Sequence, residues 1–320
     1  MHRRVALVGA LLIAVAACQS RPSSRETVSP NTVDVPQSRQ EALTWSRAID
    51  PCALVDRQVL ASLGNDLQIG VSSGPSVCDA VVGGGPERGG AEVMWFIGPT
   101  WLSRPPGQAE VVEIDGKQVH RTDRYMGLSS QERAELGENG CDYFIPYGTS
   151  VQAILTVSTA SGTQACSPGE PLVRSMLANV ARQPKQGTSP DTAITALTGT
   201  ATPCVVVPQL EPDHRVEFTW EGQMNDKCTL TADGAHVEIG FEYRERATIP
   251  VQARQQEYDR YTGFEYERHG DTVVDLVVGE EFSGVQDRRS ARLVPIVTVQ
   301  SPKPVVSRAV AAAVLPHLPR

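Results

Sequence analysis

The spacing of six cysteines restricts the fold of this chain more than any other feature of its sequence. In chain order they form three pairs separated by 26, 25 and 24 residues: Cys52 with Cys78, Cys141 with Cys166, and Cys204 with Cys228. If the chain is exported, an even number of cysteines indicates disulfides, and although six allow fifteen pairings, the regular spacing favours these three. The alternative, a structural zinc site, needs ligands only a few residues apart, and no two of these cysteines are near neighbours.

The start of the chain has the three parts of an export signal. The basic residues Arg3 and Arg4 precede an apolar run over residues 5–15, and small residues then lead to the seventh cysteine, Cys18. The apolar run is about half the roughly 20 residues that a membrane-spanning helix needs. We therefore expect residues 1–17 to be a signal peptide that is removed from the mature protein.

The end of this signal, Val15-Ala16-Ala17-Cys18, resembles the lipobox of bacterial lipoproteins. The resemblance implies that Cys18 carries acyl chains such as palmitate and that these chains anchor the protein in the membrane. The expected location is the extracytoplasmic face of the cell membrane. The alternative is an ordinary secretory signal in which Cys18 has no special role.

Charge and composition restrict the possible partners. The formal net charge is −8, and loss of Arg3 and Arg4 with the signal peptide lowers it by two, to −10. A chain with this acidic balance is not expected to bind nucleic acid. The sequence contains neither a phosphate-binding glycine loop nor histidines at metal-ligand spacing, so we expect no cofactor and no metal.

Changes in composition divide the mature chain into four segments. Residues 18–41 are rich in Ser, Pro, Thr and Arg, which predicts a disordered tether. A first domain is expected over residues 42–183. Residues 184–202 are rich in Gln, Gly, Thr, Ser and Pro, which is typical of a linker between domains. A second domain is expected over residues 203–320.

Both predicted domains have the same order of elements. Each opens with Pro-Cys, at residues 51–52 and 203–204, and each ends in an apolar helical stripe preceded by Ser-Pro, at Ser167 and Ser301. Short periodic strands lie between these points. We therefore predict an internal duplication and an α+β fold, in which two tandem domains each have an antiparallel sheet with an N-terminal and a C-terminal helix packed on it.

The lipobox, the tether and the start Asp50-Pro51-Cys52 together resemble a family of actinobacterial lipoproteins known only as a domain of unknown function. The second copy departs from that pattern, because Thr202 stands in place of the aspartate. More loosely, the layout is similar to the extracellular sensor domains of some actinobacterial Ser/Thr kinases and to the PsbP/Mog1 type of α+β fold. The resemblance implies a location and a fold, but it carries no catalytic residue.

The sequence shows no recognisable catalytic arrangement. Residues 70–74, Gly-Val-Ser-Ser-Gly, match the pattern G-x-S-x-G, but a nucleophile elbow needs a helix directly after the serine, and Pro75 follows here. The carboxylate pairs at residues 110 and 113 and at residues 280 and 281 are close only in sequence, and exposed surface positions are the simpler interpretation. We therefore expect no catalytic residues and no enzymatic activity.

One aromatic cluster is a candidate recognition surface. Tyr258, Tyr261, Phe264 and Tyr266 lie within nine residues, interleaved with charged residues. Tyrosine and arginine are enriched at binding hot spots, so an exposed cluster would suit a partner. The alternative is that Phe264 and Tyr266 alternate into the core of an edge strand.

Together these features predict a non-enzymatic, lipid-anchored binding or interaction module of the cell envelope, with an unknown ligand or protein partner. Two alternatives stay open at this point. One is a carrier that holds a lipid or small molecule in an apolar cavity. The other is an envelope hydrolase whose residues follow no recognisable motif.

Overall fold

A computed structural model of the protein describes residue 36 and residues 38–100, 105–286 and 288–318. Over these residues the helices are α1 Arg39–Ala48, α2 Arg57–Ala61, α3 Ser130–Leu136, α4 Cys166–Val180, α5 Val207–Leu210 and α6 Pro304–Val314. Within the described ranges, the structure contains no helix of the length and apolar character that a membrane span requires. Cys18 and the predicted signal peptide lie outside the described residues, so the lipidation of Cys18 stays a prediction.

Seven strands of the first half form one antiparallel sheet in the spatial order β1-β2-β3-β7-β6-β5-β4. The strands are β1 Gln68–Val71, β2 Val77–Val82, β3 Ala91–Pro99, β4 Glu110–Ile114, β5 Lys117–Asp123, β6 Glu138–Tyr147 and β7 Val151–Ala160. Along β3, Val93, Trp95 and Ile97 are buried in the core and alternate with less buried residues, as expected for a strand with one face on the core. Helix α4 contacts this core so closely that a Cβ on Gly169 would lie 2.4 Å from the Tyr143 ring.

The second half forms an antiparallel sheet in the order β11-β12-β13-β15-β10-β9-β8, with β14 paired to β15. The strands are β8 Val216–Glu217, β9 Lys227–Ala232, β10 Ala235–Glu245, β11 Arg254–Tyr258, β12 Tyr261–Arg268, β13 Asp271–Val277, β14 Phe282–Gln286 and β15 Arg289–Ser301. Helix α6 buries Val306, Val310 and Val314 in the core. This spacing of three to four residues is that of one helical face.

The two sheets have the same strand order once β14 is set aside, since β14 has no counterpart in the first sheet. A cross-strand pair also recurs on their central strands. Thr156 Oγ1 donates to Asp142 Oδ1 between β7 and β6, and Thr298 Oγ1 donates to Asp275 Oδ1 between β15 and β13, at 2.8 Å in both cases. The prediction of an α+β chain with two antiparallel sheets is confirmed, and the shared order is what an internal duplication predicts.

The disulfides join the three pairs that the cysteine spacing predicts. Cys52–Cys78 and Cys204–Cys228 occupy corresponding places, because each connects a short 3-10 turn to the second strand of its sheet. Cys141–Cys166 connects β6 to the first residue of α4 and belongs to the first half alone. Each bond therefore fixes a helical segment to its own sheet.

Two helix starts differ from the prediction. Helix α4 begins at Cys166, before Ser167, and no side chain caps it. The disulfide at Cys166 and the Tyr143 hydroxyl, which donates to the Cys166 carbonyl, hold this turn instead. Helix α6 begins at Pro304, because β15 continues as far as Ser301. Proline is favoured in the first turn of a helix, where its missing N–H is not needed.

One hydrophobic core extends through both halves, and a buried arginine adds polar contacts between them. Arg47, near the end of α1, is 3% exposed and forms an ion pair with Asp226 of the second half. Its guanidinium also donates to the carbonyl oxygens of Leu197 and Thr200, at 2.9 and 3.3 Å. A charge buried this deeply needs partners of this kind, since an unpaired one costs several kcal/mol.

The segment 184–202, predicted as a linker, has neither helix nor strand but contacts both halves. The Ser189 N–H donates to Asp50 Oδ2 at 2.9 Å. Thr195 Oγ1 lies 2.8 Å from the hydroxyl of Tyr243 in β10, and Leu197 is fully buried. This segment is therefore part of the packed structure at the junction of the halves.

Candidate ligand-binding site between the two halves

The aromatic cluster singled out in the sequence is divided between two faces of the β11–β12 hairpin. Tyr258 and Tyr261 are paired across the turn and pack against the main core. Phe264 packs on the other face, against a small cluster that contains Ile249 and residues of β15. Tyr266 donates its hydroxyl to Asp275 at 2.9 Å. All four side chains are half-buried, so they do not form one continuous aromatic surface.

The G-x-S-x-G sequence lies at the contact between the halves. Its first glycine, Gly70 in β1, lies close to the backbone of β14, where a Cβ would meet Gly284 Cα at 3.4 Å. A Cβ on its last glycine, Gly74, would lie 2.9 Å from Asp226 Oδ2. The chain continues from Ser72 into β2 rather than into a helix, so these glycines permit a close approach of backbones and form no nucleophile elbow.

The carboxylates and histidines noted in the sequence lie in surface contacts. Glu110 pairs with Arg121 at 2.8 Å, and Glu281 pairs with Arg292 at 3.1 Å. His214 Nδ1 lies 2.7 Å from an oxygen of Asp233. These groups are spread over both halves, and the partners named above are charged side chains and not nucleophiles.

The most suitable ligand site is a pocket of about 570 Å³ at the junction of the halves. One side is helix α1, the second is residues 199–202, and the third is the start of the second half. The residues that line it are Gln40, Thr44, Arg47, Ala48, Gly199, Thr200, Ala201, Thr202, Cys204, Val205, Val207, Pro208, Phe218 and Trp220. This volume and this mixture of apolar walls with a few polar groups are typical of small-molecule sites.

Two aromatic rings form the apolar wall of this pocket. Phe218 and Trp220 meet edge to face, with ring centroids 4.9 Å apart and planes at 85°. Their loop is held by the buried Gln223, whose Nε2 donates to the carbonyl oxygens of Thr219 and Thr229 at 2.7 and 2.8 Å. The Thr229 N–H donates back to Gln223 Oε1 at 2.7 Å. The rings are therefore positioned before any ligand arrives.

The polar wall of the pocket is formed by Arg47 and its partners. Arg47 Nη2 donates to Thr200 Oγ1 at 3.0 Å, and the guanidinium lies 5.3 Å from the centroid of the Phe241 ring. Burial raises the pKa of Asp226, while the charge of Arg47 opposes that rise. Because the guanidinium is already used, a ligand would meet the exposed side chains of Gln40 and Thr44. The Thr44 hydroxyl donates to the carbonyl oxygen of Gln40 at 3.0 Å, so it is available to a ligand as an acceptor.

Few features of the sequence indicate this pocket. Residues 216–220 alternate apolar and polar side chains as a strand does, but β8 ends at Glu217 because the buried Gln223 binds the following loop through its backbone. Phe218 and Trp220 lie in that loop. The sequence feature that could have identified them is the pair of large aromatic residues two positions apart, Phe218 and Trp220.

Comparison of the chain with family models, with curated proteins and with solved structures finds no match. Among the residues that the structure describes, no three His, Cys, Asp or Glu side chains come together in a group that could hold a metal ion. A function for this protein is therefore inferred from the geometry of the pocket between the halves.

Proposed function

We propose that this protein is a lipid-anchored lipoprotein of the cell envelope that binds a small ligand without converting it. The observation that carries this proposal is the pocket between the halves, with its aromatic wall and its polar rim. The proposed location rests on the lipobox-like end of the signal peptide, and the membrane anchor would be the lipid on Cys18. The ligand that fits best has an apolar ring or short chain and several hydrogen-bonding groups.

The position of the pocket supports a role for the duplication. Residues of α1, of the segment 199–202 and of the second half all line it, so neither half alone contains the site. We interpret the halves as two copies of one α+β domain of the PsbP/Mog1 type, with helices packed on each sheet. Sites at the contact of two such units are common, because the contact creates a concave surface.

The two alternatives have less support. For a carrier of long acyl chains, the space between the first sheet and α4 would have to be open, but Tyr143 and Met176 are fully buried there. For a hydrolase without a recognisable motif, a nucleophile and a base would have to meet in a cleft, but Glu110, Glu281 and His214 pair with charged groups. Ser72 of the G-x-S-x-G sequence is only 4% exposed. A binding protein requires neither condition.

The test is native mass spectrometry of the full chain, purified in mild detergent from its own host. Thr44→Trp places an indole at the exposed rim of the pocket, and Gln131→Trp places one on the exposed face of α3 as a matched control. We expect a bound molecule in the wild type and the control, and at least tenfold lower occupancy in Thr44→Trp. Equal occupancy in both variants, or a wild type with no bound molecule, would contradict the proposal.

A further inference from the structure

A second cavity, of about 670 Å³, lies over the first sheet and away from the pocket between the halves. Its floor is formed by side chains of β2, β3, β6 and β7, among them Asp79, Glu92, Glu138 and Thr156. The turn between β14 and β15 reaches over it from the second half and contributes Gln286 and Arg288. We call it the acidic pocket.

Carboxylates outnumber cations in the acidic pocket. Four acids line it, Asp79, Glu87, Glu92 and Glu138, against two arginines, Arg124 and Arg288. With all six groups ionised the formal charge of the lining is −2. A cavity with this balance attracts a cation and repels an anion.

Arg288, which lies over the cavity, already forms three ion pairs. Arg288 Nη1 lies 3.1 Å from Glu87, its Nε lies 2.8 Å from Glu92, and its Nη2 contacts Glu138. These three ion pairs fasten the β14–β15 turn to the first sheet. They account for three of the four acids. Within the part of the chain that the structure describes, Asp79 forms no ion pair and has only a hydrogen bond from Ser72.

Acceptor oxygens in the acidic pocket lack donors. Over the described residues, neither Asp79 Oδ1 nor Gln286 Oε1 has a hydrogen-bond partner, although both are shielded from solvent. The neighbouring donors are in use, since the Tyr125 hydroxyl donates to Glu138 and Thr156 Oγ1 donates to Asp142. Buried acceptors without donors are rare and costly, so a ligand that supplies several N–H donors would complete this cavity.

We propose that the acidic pocket binds the ammonium group of a small primary amine, with the Asp79 carboxylate as its ion-pair partner. A charge-assisted contact of this type is shorter and stronger than a neutral hydrogen bond. The carbonyl of Gln286 and the hydroxyl of Ser158 are further acceptors in the same lining. The ion pairs of Arg288 stay intact when the amine binds, because the amine pairs with Asp79, which is not among the acids that Arg288 contacts.

Ligand-observed NMR on the full chain in detergent tests this with matched probes at pH 8. Ethanolamine carries the ammonium group, and ethylene glycol replaces it with a neutral hydroxyl. We expect ethanolamine to bind at least tenfold more tightly than ethylene glycol. We expect Asp79→Asn to bind ethanolamine at least tenfold more weakly than the wild type does. Asp66→Asn, at an exposed aspartate outside the pocket, should change nothing.

Two further measurements distinguish binding in the acidic pocket from a folding defect of the variant and from binding in the pocket between the halves. In the wild type, ethanolamine should bind at least tenfold more weakly at pH 5.5 than at pH 8, because burial and the nearby charge of Glu92 raise the pKa of Asp79 and so favour its protonated form at the lower pH. Thr44→Trp should bind ethanolamine normally. Equal affinity for amine and alcohol, or full affinity in Asp79→Asn, would overturn the amine site whatever the result for the other pocket.

Discussion

Replacement of Asp79 by asparagine should stabilise the protein at pH 8 and much less at pH 5. Burial raises the pKa of Asp79 to about 7, with the nearby charge of Glu92 acting in the same direction and a hydrogen bond from Ser72 acting against it. The folded chain therefore keeps a proton on Asp79 up to about pH 7, whereas the unfolded chain loses it near pH 4. Between these two pH values the folded chain binds more protons than the unfolded chain, so the free energy of unfolding falls as the pH rises from about 4 to about 7. Above pH 7 the whole of this loss of stability is present.

The magnitude follows from the difference between the two pKa values. From the ordinary value of 3.8 to about 7, at about 1.4 kcal/mol for each pKa unit, the upper limit is about 4 kcal/mol. Relaxation of the charged side chain and entry of water reduce this figure. We expect Asp79→Asn to gain about 1–3 kcal/mol at pH 8, and less than half of that at pH 5.

The assay is equilibrium urea unfolding of wild type, Asp79→Asn and the control Asp66→Asn at both pH values, with the disulfides intact. Asp66 is exposed, and its positive φ of 56° is one that asparagine also tolerates. The control should stay within about 0.5 kcal/mol of the wild type. A variant Asp79→Asn that is equally stable or less stable at pH 8 would refute the argument that the ionised carboxylate is a cost to the fold.

Two further predictions concern the anchor and the junction of the halves. Cys18→Ala should move the protein from the membrane fraction to the soluble fraction, and a variant that stays membrane-bound would contradict lipidation. Arg47→Met should lower the free energy of unfolding by about 3 kcal/mol, because it leaves the mostly buried carboxylate of Asp226 without its cationic partner. Arg39→Met, which removes an exposed contact with Glu221, should cost less than about 1 kcal/mol in the same denaturation experiment.

The parts of the fold that depend on short-range chemistry could be predicted from the sequence. The sequence Asp-Gly is typical of a two-residue hairpin turn, and at Asp115-Gly116 and Asp233-Gly234 both residues have positive φ, between 51° and 77°. The cysteine pairs were predictable because each disulfide joins cysteines only 24 to 26 residues apart in the chain. The helix starts were not, because a disulfide in one case and a longer strand in the other outweighed the Ser-Pro signal.

The two pockets could not be predicted, because each depends on contacts between distant parts of the chain. In the described parts of the chain, the lack of an ion pair at Asp79 depends on the position of Arg288, which pairs with three other acids of the same lining. Phe218 and Trp220 became a pocket wall only because α1 packs opposite them. Local patterns predict which residues form a strand, and they do not predict which turn of the other half covers that strand.

Strand β14 has a consequence for stoichiometry. It is the element that the second sheet has and the first lacks, and the turn that follows it supplies Gln286 and Arg288 to the face of the first sheet. As far as the described residues of the first half go, there is no matching hairpin, since β6 and β7, the counterparts of β13 and β15, are joined by a short turn. Although the strand order repeats, the acidic pocket is formed once, so saturation should occur at one amine per chain and a chain shortened to either half should bind none.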